Sequence, residues 1–132
     1  MKSRYDKLIV LRAAASRMAS AAFADSASQL AGQKALSERL EGATVALSPE
    51  PGIATGAGLA ARNELSGRMH VARLSTLARV EDAQAAHDDV AYARRAARRA
   101  FDAAVDIRRA HQQAALTRAE IKAAPTMPKD AR

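Results

Sequence analysis

The sequence predicts an all-α fold in which two long helices form an antiparallel coiled-coil hairpin, and three observations lead there. Roughly a quarter of the 132 residues is Ala, the residue with the best helix propensity and little area to bury. Trp is absent and Phe and Tyr number two each, although the hydrophobic class reaches 48%. So few large side chains cannot fill the core of a β-sandwich, a Rossmann domain or a pocketed enzyme, but they suit a narrow seam between helices. Finally, the stretch 48–58 gathers two of the four prolines and three of the six glycines. Proline lacks the amide proton and disfavours helix in the residue before it, so the helical pattern breaks there.

The first helix is predicted over about 3–47. Ser3-Arg4-Tyr5-Asp6 has the spacing of a capping box, with an acid where Glu or Gln is usual. Leu8, Leu11, Ala15, Met18 and Ala22 follow in 3-4 alternation. The pattern slips and resumes as Leu36, Leu40, Ala43 and Leu47, which reads as one seam with a four-residue stutter. Gly32 and Gly42 each cost about 1 kcal/mol relative to Ala, so bending or fraying is expected at both.

The second helix is predicted over about 57–124, with a hinge at about 48–58 and a flexible tail at 125–132 behind Pro125. Leu74, Leu77, Val80, Ala83, His87, Val90, Ala97, Phe101 and Ala104 stand at helical spacing along it. Neither apolar stripe is strong enough to hold a helix alone. A hinge of about ten residues lets the two fold back on each other, making 1–124 a single helical hairpin. Pairing centred on residue 53 places Leu11 opposite Arg95, and because the stutter and the two glycines can shift the register, its partner is sought over 91–101 and then over 108–115.

The chain carries 21 Lys and Arg against 14 Asp and Glu, a net charge of +7. Such a balance fits nucleic acid, an anionic membrane surface or an acidic protein partner. Cysteine is absent, which excludes disulfides and thiolate metal sites. No apolar run reaches the roughly 18 residues of a membrane span. Arg12 and Arg17 interrupt what would be the apolar region of a signal peptide, and the Ala- and Arg-rich style continues to the C-terminus. A cytoplasmic protein is expected.

Chemistry-bearing motifs are scarce. The glycines of 52–58 have no following Gly-Lys-Ser/Thr and no preceding strand, so they read as a hinge and not as a phosphate loop. His87, Asp88 and Asp89, with Glu81 and Asp82 earlier, form the densest group of metal-ligand types. Adjacent helical residues point about 100° apart, so a seam histidine flanked by solvated acids explains the group better than a metal site does. No nucleophile has a local base. The sequence therefore predicts no enzyme, no catalytic residue, no cofactor and no metal.

The arginines are the strongest physical signal. Residues 94–132 hold ten Lys and Arg against four Asp and Glu, a net +6. Arg94/Arg98 and Arg95/Arg99 are like-charge i,i+4 pairs, which repel unless an anion lies nearby. Arg94, Arg95, Arg98, Arg99, Arg108 and Arg109 are accordingly the candidate partner-binding residues at this end. Leu74, Leu77, Val80 and His87 are candidates nearer the hinge, with the seam itself as their other reading. Nucleic acid is the alternative partner, although no aromatic residues interleave with the arginines.

These features together resemble the flagellar FliJ family of the type III export apparatus. The resemblance rests on the opening Tyr5-Asp6-Lys7-Leu8-Ile9-Val10-Leu11-Arg12 and a helix of small residues followed by a short break. A longer Arg- and Ala-rich helix then carries Arg108-Arg109, Arg118-Ala119-Glu120 and Lys122. It covers about 4–122, and no single motif in it is diagnostic. The Ala content, the Pro/Gly hinge and a sparse Glu/Lys/Gln surface depart from the family pattern. The resemblance implies a non-enzymatic coiled-coil stalk, similar to that of the rotary ATPase gamma subunit. It would associate with the hexameric export ATPase and with the export gate, assist substrate delivery as a general chaperone, and serve motility at the cytoplasmic face of the inner membrane. The alternative is a basic helical protein that associates with nucleic acid or acts as a scaffold.

Overall fold

The computed structural model describes residues 3–46 and 56–124. Two helices, α1 (Arg4–Ala46) and α2 (Gly56–Ala123), account for nearly all of them. They pack against each other as an antiparallel hairpin with no strand among the described residues. The hinge expected at 48–58 lies mostly outside the described residues, and Gly56, Ala57 and Gly58 already belong to α2. Leu47 and the expected tail 125–132 also lie outside them.

The start of α1 follows the predicted capping box. The Asp6 amide donates to Ser3 Oγ at 3.3 Å, and the Ser3 amide donates to Asp6 Oδ2 at 3.2 Å. Two otherwise orphaned donors are thereby satisfied, and Asp6 places its charge at the positive end of the helix. Both Gly32 and Gly42 lie inside an unbroken α1, so the helix does not fray at either.

The chain divides into two compact units. One comprises the described parts of Met1–Met18 and Arg95–Arg132, and the other is Ala19–Arg94. Within the first, Asp6 meets Arg108 and Tyr5 meets His111. Within the second, Ser26 meets His87 and Glu41 meets Arg73. Both sets run antiparallel. Facing positions have numbers adding to about 114, as in Asp6 with Arg108 and Glu41 with Arg73.

This register corrects the pairing centred on residue 53. Leu11 stands level with about residue 103, not with Arg95. The physical reason is that the helices do not pair from the break outward. In the second unit the end of α1 stands level with about residue 68, so 56–67 have no part of α1 beside them and are almost all exposed.

The α1 seam also differs from the predicted one. Leu8, Leu40 and Ala43 are half-buried as predicted, but Leu11, Met18 and Leu36 are 67%, 74% and 39% exposed, and Ala15 and Ala22 are exposed beside them. In the first unit Tyr5, Ile9 and Ser16 are half-buried instead. In the second, Ala19, Phe23, Ser26, Gln33, Ser37, Leu40 and Thr44 are half-buried and Leu30 is buried. In the second unit, from Ala19 to Thr44, their 3-4 spacing is unbroken, so no stutter occurs there, while in the first unit the exposed Arg12 interrupts the frame between Ile9 and Ser16. Small polar residues win these positions because α2 offers larger groups opposite them, His87 facing Ser26 and Phe101 sharing a groove with Ser16. Close packing rewards that size match more than it rewards apolarity alone.

On α2 the predicted positions Val80, Ala83, His87 and Val90 are half-buried in the second unit, as are Ala97 and Phe101 in the first, where Ala104 is buried. Leu74 and Leu77 are instead 54% and 41% exposed. Thr76 takes the seam position, with its hydroxyl bonded back to the Ala72 carbonyl at 2.8 Å. That bond satisfies the polar group inside the helix and leaves the methyl for packing.

Candidate partner-binding surfaces

In the unit built from Met1–Met18 and Arg95–Arg132, the charges sort into paired and unpaired. Arg108 is half-buried and donates from a guanidinium nitrogen to Asp6 Oδ1 at 3.3 Å. Asp6 is held below the usual carboxylate range, first by the Ser3 backbone amide and then by Arg108. Each bond favours the ionised form. Beside this pair the Tyr5 and His111 rings stack at 4.6 Å, and Arg4 lies 5.0 Å above the Tyr5 ring. Arg98 reaches Asp102 at 3.6 Å and Arg109 reaches Asp106 at 3.7 Å. Both are exposed pairs, worth about 0.3–0.5 kcal/mol each.

Arg95 and Arg99 are exposed and have no ion-pair partner among the described residues, and the same holds for Arg12 and Arg17 on α1. Arg17 and Arg98 line one shallow groove with Ala13, Ser16 and Phe101, and no carboxylate borders it. Asp102 already compensates Arg98, so Arg17 is the uncompensated cation of this groove.

In the unit Ala19–Arg94, Phe23 gathers two of the predicted site residues. His87 packs against its ring at 4.8 Å, and the Arg94 guanidinium lies 4.5 Å from the ring centroid. Ser26 Oγ donates to the Phe23 carbonyl at 3.0 Å and lies 2.8 Å from His87 Nδ1. With the hydroxyl hydrogen on the carbonyl, Oγ accepts from an Nδ1–H of His87. His87 and Val80 are thus seam residues. Leu74 and Leu77 face outward and are free to meet a partner. Arg94 and Arg108, on the same 3-4 frame as His87 and Phe101, each reach across to α1 within their own units.

Other chemistry is limited. Among the described residues no group of three or more His, Asp and Glu side chains could hold a metal ion. Asp88, one of the acids beside His87, accepts from Gln84 at 3.0 Å. No helix among the described residues is long and apolar enough to cross a membrane. The residues that sequence reasoning missed are Tyr5, Phe23, Ser26 and His111. Their aromatic or hydroxyl character at seam spacing was the available signal, but it becomes legible only with the register. Comparison with known proteins adds no assignment, because no protein family, characterised protein or solved structure matches the chain significantly.

Proposed function

We propose that the chain is a non-enzymatic coiled-coil component of the bacterial flagellar type III export apparatus, a stalk and general chaperone between the export ATPase ring and the export gate. The observation that carries this reading is the unpaired charge of Arg95 and Arg99, whose neighbours Arg98, Arg108 and Arg109 hold carboxylates and whose neighbour Arg94 lies over Phe23. Exposed cations without internal partners raise the on-rate for an acidic protein surface while contributing little to folding. Leu74 and Leu77, exposed in the other unit, supply the apolar contact expected of a gate-facing surface.

The test is binding of the full chain to the hexameric export ATPase of the same organism. Arg95→Gln with Arg99→Gln should preserve helicity, because Gln is nearly as good a helix former as Arg. It should weaken binding several-fold and flatten its salt dependence. Deleting the gene should impair swimming and leave growth normal. No binding together with normal swimming contradicts the proposal.

A second reading is favoured by one observation, the groove that places Arg17, which has no ion-pair partner among the described residues, beside Arg98, an arrangement that also suits a phosphate backbone. Low-salt gel shifts whose affinity falls steeply with added salt would support a nucleic-acid-associated protein instead.

A further inference from the structure

Between Leu8 and Met18 on α1 and between Ala96 and Ala110 on α2, one side of the Arg-rich unit is apolar, with Arg4 continuing its α1 stripe beyond Leu8 and Arg99 and Asp106 along its α2 edge. Helical geometry places four kinds of position beside the seam, two on each flank. One flank of this unit holds Arg17 and Arg98. On the other, every position from Leu8 to Met18 on α1 and from Ala96 to Ala110 on α2 is Leu, Met, Ile or Ala. The large members are not packed away, with Leu11 67%, Met18 74% and Ile107 49% exposed. A contiguous apolar surface of that kind on a chain of net charge +7 marks an interaction site.

We propose that this side is a self-association surface, on which a second copy of the chain packs about a two-fold axis parallel to the helices. The halves of the surface differ in size in a way that fits a copy of itself. The large residues lie mostly on α1 and the small ones mostly on α2. Under that two-fold, α1 of one copy runs along α2 of the other at the same level. Leu11 then meets Ala103 of the second copy, and Met18 meets Ala96. In each pair the two numbers add to about 114, as they do for Asp6 and Arg108.

Charge complementarity points the same way. Lys7 on α1 and Asp106 on α2 border the apolar side at nearly equal levels, so each copy's Lys7 faces the other's Asp106. Within one chain these two residues form no ion pair; Asp106 pairs with Arg109 instead. The side bearing Arg17 and Arg98 stays outward in both copies, so the like charges of the chain are kept apart. A face limited to about three to four turns of each helix is small for a specific interface, and weak association in about the micromolar range is expected. The proposal does not depend on the export reading, since Arg95 and the flank of Arg17 and Arg98 point away from this side and Arg99 lies only at its rim.

Sedimentation equilibrium of the full chain from about 5 to 500 µM tests it, with circular dichroism to verify helicity. The 14.0 kDa chain should show reversible, concentration-dependent dimerisation. Met18→Glu, and separately Leu11→Lys, should weaken it at least tenfold without loss of helix, since both side chains are exposed. Lys7→Glu alone should weaken association, and adding Asp106→Lys in the same chain should restore it. A monomer across the whole range overturns the proposal. So does a dimer indifferent to Met18→Glu and Leu11→Lys, or one that the double charge exchange fails to restore.

Discussion

The Phe23 ring receives the His87 imidazole at 4.8 Å with a tilt of 37°, and this contact fixes the register of the unit Ala19–Arg94. Ser26, one turn further along α1, holds the same imidazole at 2.8 Å. Phe23→Ala should therefore destabilise the chain by about 2 kcal/mol, a half-buried aromatic losing packing on one face. Ser26→Ala should cost about 1 kcal/mol, the net value of one hydrogen bond. Thermal melts of the two variants check the order, with Phe23→Ala the lower melting.

Asp6 makes stability depend on acid. Its folded pKa lies below the ordinary carboxylate value, so its contribution is fully present above the unfolded pKa of about 3.9 and is lost as pH falls through the folded value. An NMR titration of the Asp6 carboxyl should find its midpoint below that of an unstructured Asp. Arg108→Gln should raise the midpoint without bringing it to the ordinary value, because the Ser3 amide still donates to the carboxylate. A midpoint unchanged by Arg108→Gln would show that the cross-helix pair is not formed in solution.

Gly32 and Gly42 stand in mid-helix with nothing within 4 Å of where a Cβ would be placed. Alanine at either position removes backbone freedom from the unfolded chain and meets no obstacle in the folded one. Each substitution should stabilise by about 0.5–1 kcal/mol, a rise of a few degrees in Tm. Unchanged or lower melting temperatures would indicate that one of these sites is not regular helix.

Gln33 occupies a seam position, and its Oε1 is buried without a hydrogen-bond partner. Such an acceptor costs about 1–3 kcal/mol. Gln33→Leu should raise thermal stability, since Val80 and Ala83 stand near its level on α2 and the leucine adds apolar contact. A loss of stability in this variant would mean that the amide has a partner in solution.

Parts of this fold were legible in the sequence for identifiable reasons. The capping box is a local pattern, and Ser3 and Asp6 form it from four consecutive residues. Val80, Ala83, His87, Val90, Ala97, Phe101 and Ala104 were legible because larger side chains at 3-4 spacing on α2 leave one face to choose. The first helix offered no such choice. Alanine and serine surround it, so Leu11, Ala15, Met18 and Ala22 make as regular a stripe as the one that is buried. What selects Ser26 is His87, a residue 61 positions away, and no local pattern contains that. Leu74 and Leu77 failed for the same reason, since Thr76 is chosen by its level against α1 and not by its hydropathy.

The arginines were legible as a group and not as individuals. Only the register separates Arg94 and Arg108, which reach across to Phe23 and Asp6, from Arg95 and Arg99, which remain unpaired among the described residues.

That register is tested most directly by paired cysteines in a chain that has none of its own. The register places the half-buried Ile9 level with the buried Ala104 in the seam of one unit, the arrangement a disulfide between neighbouring helices requires. Ile9→Cys with Ala104→Cys should oxidise rapidly to a bridge within one chain, as read by non-reducing electrophoresis and intact mass. Leu11→Cys with Arg95→Cys, the pairing centred on residue 53, should not. Efficient bridging of Leu11→Cys with Arg95→Cys, or bridges of Ile9→Cys with Ala104→Cys formed only between chains, would contradict the antiparallel register on which the assignment of free and paired arginines rests.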